Sequence, residues 1–138
     1  MPHQYQWLIE NRVLFSQFEG DMDADEILVA SRDAITYFRA GDNSAQVHSI
    51  IDARFVTSYP IFNFKTLSSR ESAEFRRVKN VGWILLVTQN KVIISLSRLI
   101  KGISKIKFRT FDRMDEALVF MREQTPHLNW DAIQIEWE

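Results

Sequence analysis

Apolar positions alternate with polar ones, or run unbroken, in several short stretches, and between these they recur every three or four residues. Gln4 to Ile9 reads as a strand, Glu10-Asn11-Arg12 as a turn, and Val13 to Phe18 as the returning strand of an antiparallel hairpin. Asp23, with Glu26 three residues on, starts a helix that runs to about Ala40. Its predicted buried stripe is Ile27, Leu28, Ser31, Ile35 and Phe38, and Gly41-Asp42-Asn43 ends it. Val47 to Asp52 is the central strand, with Val47, Ser49 and Ile51 on one face and His48, Ile50 and Asp52 on the other. Trp83 to Val87 is apolar throughout, the pattern of a neighbour covered on both faces.

Helical spacing returns at Leu67–Val78, after Pro60, and from Gln89 to about Lys101, where Gly102 stops it. Lys105–Arg109 alternates as a further strand. Asp112 is the expected cap of a last helix carrying Met114, Ala117, Leu118 and Met121, and Thr125-Pro126 ends that helix. The tail, Ile133 to Glu138, alternates apolar and acidic residues, a pattern suited to a sheet edge of the same chain or of a second copy. A homodimer is the expectation that follows from it. The order predicts an α/β domain: a mixed, mostly parallel sheet with an N-terminal antiparallel hairpin and about four helices. In open sheets of this kind ligands sit beyond the carboxyl ends of the strands, here Asp52 to Pro60 and Thr88 to Lys91.

Composition narrows the classes. The 138 residues suit a single domain over 1–138, with 127–138 as a C-terminal extension. Without cysteine there is no disulfide framework, thiolate nucleophile or Cys-based zinc site. The N-terminal stretch lacks the basic start and apolar run of a signal peptide, and no run reaches the length of a membrane span. A soluble, cytoplasmic protein is expected. The net charge of −1 hides an acidic first third, a basic middle over residues 55–113 and an acidic end. That middle is either an anion-attracting face or, as the plainer reading has it, is neutralised by the acidic blocks after folding.

The element order, with the opening hairpin, the Ile50-Ile51-Asp52 strand end, Gly82-Trp83 entering a strand, and Arg109-Thr110-Phe111-Asp112 leading into Asp115-Glu116-Ala117-Leu118, resembles the STAS fold. More narrowly it is similar to the SpoIIAA-like set of small bacterial proteins, related in fold to CRAL-TRIO lipid-binding domains. The resemblance covers about residues 4–125. It implies a bacterial regulatory or protein-interaction module. In SpoIIAA-type anti-sigma-factor antagonists a phosphorylated serine lies in an Asp-Ser-Ser-Gly type sequence just after the central strand. Here Asp52 is followed by Ala53-Arg54-Phe55, and Thr57 and Ser58 are the nearest hydroxyls.

Enzymatic chemistry has little support in the residues. His3, His48 and His127 are far apart and lack metal-ligand spacing, and the four glycines form no phosphate loop. His48 is expected to be a hydrogen-bonded strand residue. No catalytic residue, metal or cofactor is expected. The candidate contact residues for a protein partner or an apolar ligand are Asp52, Arg54, Phe55, Thr57, Ser58, Tyr59, Phe62, Phe75 and Trp83. The alternative reading is a binder of a lipid-like molecule that meets an anionic membrane peripherally through Lys65, Arg70, Arg76, Arg77, Lys79, Arg98 and Lys101. The same residues also describe core aromatics and solvated helix edges. Nucleic acid is not an expected partner, since no reading motif accompanies the basic middle.

Overall fold

The computed structural model describes residues 3–40, 46–58, 79–91, 94–95 and 107–133. Strands β1 (His3–Ile9), β2 (Val13–Asp21), β3 (Val47–Ser58), β4 (Val81–Val87) and β5 (Phe108–Phe111) form one sheet in the order β1-β2-β3-β4-β5. Helix α1 (Ala24–Ala40) lies between β2 and β3 in the chain, and α2 (Met114–Gln124) follows β5. A 3-10 turn, Trp130–Ala132, comes after α2.

The hairpin forms as its pattern predicts. β1 runs antiparallel to β2, with Ile9 opposite Val13. The Arg12 N–H donates to the Ile9 carbonyl at 2.9 Å. Asn11 takes the left-handed conformation, φ 62°, that the third position of such a turn needs and that Asn tolerates better than most residues. The remaining pairs, β2–β3, β3–β4 and β4–β5, are all parallel.

Alternation along each strand separates two packed faces. Leu8, Val13, Phe15, Ile50, Leu85 and Val87 meet Met114, Ala117 and Met121 of α2, and Trp130 closes this core. The 3–4–7 spacing of α2 puts those three residues on one buried stripe. Thr125 finishes the helix by donating its hydroxyl to the Met121 carbonyl at 2.6 Å, and the Trp130 indole N–H donates to that same hydroxyl oxygen at 3.0 Å. On the opposite face α1 buries Ala30, Ile35 and Phe38. It is tied to β1 by the Tyr5 hydroxyl, which donates to the Ala30 carbonyl at 2.5 Å, and by the Tyr37 ring against Tyr5 and Trp7.

Four expectations change. Among the described residues there are two α-helices rather than about four. Leu67–Val78 and most of Gln89–Lys101 lie outside the described residues, although Ile94 N–H donates to the Asn90 carbonyl at 3.1 Å, the first turn of the second of these. The central strand does not end at Asp52 but continues to Ser58, because β2 continues beside it to Asp21. β5 occupies Phe108–Phe111, so it reaches two residues beyond the expected Arg109 and leaves out Lys107, while Lys105 and Ile106 lie outside the described residues. Asp112 does not cap α2: Arg113 holds the N-cap position without a side-chain cap, and its guanidinium pairs with Asp115 at 2.8 Å. The expected tail strand lies, past Ile133, outside the described residues.

Candidate functional site at the mouth of the sheet

Val87, the last residue of β4, stands beside Asp52 of β3 and Phe111, the last of β5. Among the described residues only β2 and β3 go on past that row, pairing Glu19 with Phe55, Gly20 with Val56 and Asp21 with Ser58. The carboxyl end of the sheet is therefore a step, with a two-stranded ribbon rising above the ends of β4 and β5. The ribbon register slips between Gln17 and Glu19 and again between Gly20 and Asp21, each slip adding a residue to β3. Gly20 takes up its share of the distortion with φ 72°, a conformation that any side chain would strain.

Asp52 sits at the foot of the ribbon and is 1% exposed. A carboxylate so placed must be neutralised, and Arg54 does it from two positions along the same strand. Arg54 Nε donates to Oδ1 and Nη2 to Oδ2, both at 2.9 Å, and the Arg54 backbone N–H adds a bond to Oδ1 at 3.1 Å. The bidentate geometry is the strong form of this pair, and the hydrogen bonds that the guanidinium donates to Asp52 raise its pKa above the ordinary value. Arg54 also lies over the Phe55 ring, 5.1 Å from its centroid.

The upper ribbon is polar on its edge and apolar at one point. Thr57 and Ser58, neighbours in sequence, both donate their hydroxyls to Asp21 Oδ1, at 2.8 and 2.7 Å. These two bonds, Ser58 first, hold the exposed Asp21 carboxyl below the usual carboxylate range. Phe55 is 46% exposed, one of three large apolar side chains exposed among the described residues. Next to the step, Thr88 is buried and its hydroxyl oxygen accepts the Asn90 N–H at 3.1 Å.

Of the expected contact residues, the structure brings together Asp52, Arg54, Phe55, Thr57 and Ser58. It does not bring Trp83 to them. Trp83 belongs to the amino-terminal half of β4, between the Val47–Val81 and Ser49–Ile84 pairs, and packs edge-on against Phe120 of α2 at 4.9 Å. Along the sheet that is roughly 20 Å from Phe55 at about 3.3 Å per residue. Tyr59, Phe62, Phe75, Lys65, Arg70, Arg76, Arg77, Arg98 and Lys101 lie outside the described residues, and Lys79 is exposed in the turn before β4.

A second polar group was harder to foresee in full. His48 is buried in β3 and accepts the Trp83 N–H on Nδ1 at 2.9 Å. Accepting there fixes the neutral ring with its proton on Nε2. Burial first, then the charges of Lys107 and His127, push the imidazole down to about 4. The unfolded chain thus takes a proton as pH falls through about 6.5, whereas the native state resists until about 4. Stability is lost across that window, by about 2–3 kcal/mol at its lower end. The unfolding free energy of the wild type relative to His48→Gln should fall by that amount between pH 7.5 and 4.5 in urea titrations; a constant difference would show that His48 does not titrate as its burial implies.

No protein-family model matches this sequence, and no curated protein matches it significantly. A search of solved structures finds an uncharacterized protein of the DUF3478 family with a SpoIIAA-like fold from Shewanella loihica PV-4. The two superpose with a TM-score of 0.58 over 86% of this chain and 90% of that one, at 11% sequence identity. The fold is SpoIIAA-like. At that identity the likeness is one of architecture. Within the SpoIIAA-like sheet, Ala53, Arg54 and Phe55, the residues that replace the Ser-Gly sequence, are all in β3, so the chain leaves the central strand six residues later than the resemblance implied. No helix among the described residues is long and apolar enough to cross a membrane, and no group of three or more potential metal ligands is found among them.

Proposed function

We propose that this chain is a non-enzymatic, STAS-like interaction or regulatory module that meets a partner protein on the β2–β3 ribbon. The observation that carries this reading is the step in the sheet. β3 continues past β4 and displays Phe55, Thr57 and Ser58 on the surface. The ionisable groups that would otherwise suggest chemistry are committed within the fold. Both Asp52 oxygens accept bonds from Arg54, and His48 Nδ1 accepts the Trp83 backbone N–H. An exposed aromatic ring on a rigid two-stranded support, with hydroxyls at its rim, is the kind of anchor that protein interfaces use.

Phe55→Ser tests the reading, because the residue is exposed and its loss should leave the folded chain intact. Its thermal midpoint should stay near that of the wild type while a partner that co-purifies with the wild type at stoichiometric yield is lost. Equal recovery of the partner with both proteins would remove the ribbon from the account. The basic segment 65–107 would then return as the contact surface, to be tested with charge reversals at Arg76 and Arg77.

A further inference from the structure

Among the described residues the sheet has two edge strands, β1 and β5, and they differ. β5 is short, four residues, and Arg109 within it and Lys107 just before it are both exposed. Exposed cations on a short edge strand are the usual protection against pairing with another chain. β1 has seven residues, His-Gln-Tyr-Gln-Trp-Leu-Ile, with no Lys, Arg, Asp, Glu or Pro among them. Among the described residues it has a single neighbour, β2. Its exposed positions Gln4 and Gln6 are uncharged, and Tyr5 and Trp7 are only half-buried on the α1 side. Such a strand is a ready template for another one.

We propose that β1 pairs antiparallel with β1 of a second copy of this chain, about a two-fold axis through Gln6, to make one continuous ten-stranded sheet. The occupant follows from the strand's own sequence. An isologous contact needs a self-complementary segment. With Gln6 opposite Gln6, Tyr5 of each copy faces Trp7 of the other. Two aromatic cross-strand pairs then form on the α1 face, one on each side of the axis, and they extend the Tyr37 cluster already there. The two glutamine amides meet on the other face, where each can donate to and accept from its mate. Shifting the register by two residues leaves one aromatic pair, Trp7 against Trp7 or Tyr5 against Tyr5, in place of two, and a charged partner strand gains nothing from this neutral edge.

The chain has no cysteine, so single cysteines report the register directly. Directly opposed residues in an antiparallel pair have Cα atoms about 4.5–5.5 Å apart, within the range of about 4.4–6.8 Å that a disulfide spans. Gln6→Cys should therefore cross-link to a covalent dimer under mild oxidation. Gln4→Cys should not, since its two copies are offset by four residues, roughly 13 Å along the strands. In analytical ultracentrifugation the wild type should sediment as a dimer across a concentration series. Gln6→Lys, which sets two ammonium groups opposite each other at an exposed position, should weaken association at least about tenfold with an unchanged circular dichroism spectrum. Arg109→Gln, on the other edge, should leave the mass as it is. A monomeric wild type, equal cross-linking at positions 4 and 6, or a dimer that ignores Gln6→Lys but dissociates when residues 134–138 are removed would each overturn the proposal.

Discussion

Arg54→Met should lower the unfolding free energy by about 3 kcal/mol at neutral pH, the cost of leaving a buried carboxylate without its cation. Asp52 is 1% exposed and the Arg54 side chain 22%, so water cannot take the place of two guanidinium bonds. The expected loss exceeds what an exposed pair would contribute, about 0–1 kcal/mol, which separates a sealed foot of the ribbon from an open one. The pair as a whole need not stabilise the fold. Asp52→Leu/Arg54→Met removes the charge and its neutraliser together, and its stability should come back to within about 1 kcal/mol of the wild type. Urea titration of the three proteins decides the matter. A loss below about 1 kcal/mol for Arg54→Met would mean that the carboxylate is solvated, and Asp52 would stand again as an accessible contact residue.

Gly82→Ala should be the most damaging single-methyl addition in the sheet. An alanine Cβ built on β4 at this point lies inside van der Waals contact with Nδ1 and Cε1 of the His48 ring. His48 cannot retreat readily, because it is buried and holds the Trp83 N–H. Alanine's better strand entropy, worth about 0.5–1 kcal/mol, opposes the clash, while overpacking of a dense interior costs about 1–3 kcal/mol. The net change should be destabilising, and most of it should vanish in a His48→Ala background, where the Gln46 Cβ at 3.2 Å is the one close neighbour left of the three nearest atoms. A double-mutant cycle should accordingly show a coupling above about 1 kcal/mol. Additive effects would mean that β4 shifts to accommodate the methyl and that the glycine is not tied to the histidine.

Local pattern reached the hairpin, α1 and α2 because their determinants are local. Asn11 supplies the left-handed turn, Ala24 to Ala40 follows Asp23 directly, and Met114, Ala117 and Met121 fall on one stripe by spacing alone. The ribbon was legible in part. Phe55-Val56-Thr57 has the aromatic and β-branched composition of a strand, but Asp52 looked like a strand end because a carboxylate in mid-strand needs a cation, and that cation lay two residues on. The contact between His48, Gly82 and Trp83 joins two strands about 35 residues apart, beyond the reach of any periodicity. Gly82-Trp83 reads in the sequence as the entry to a strand, whereas Gly82 lies inside β4, where an isolated glycine marks a close approach of another group. Arg113 took the cap position from Asp112 because Thr110 and Phe111 are drawn into β5 opposite Leu86 and Val87.

Native mass spectrometry of the purified chain, repeated after denaturation, separates a contact module from a container. On this account the expected native species are whole multiples of the 16.3 kDa chain, alone or with a protein partner, and no small-molecule mass is released on denaturation. A small molecule carried by the native protein and released on unfolding would contradict it, and would make this SpoIIAA-like fold the holder of an apolar ligand.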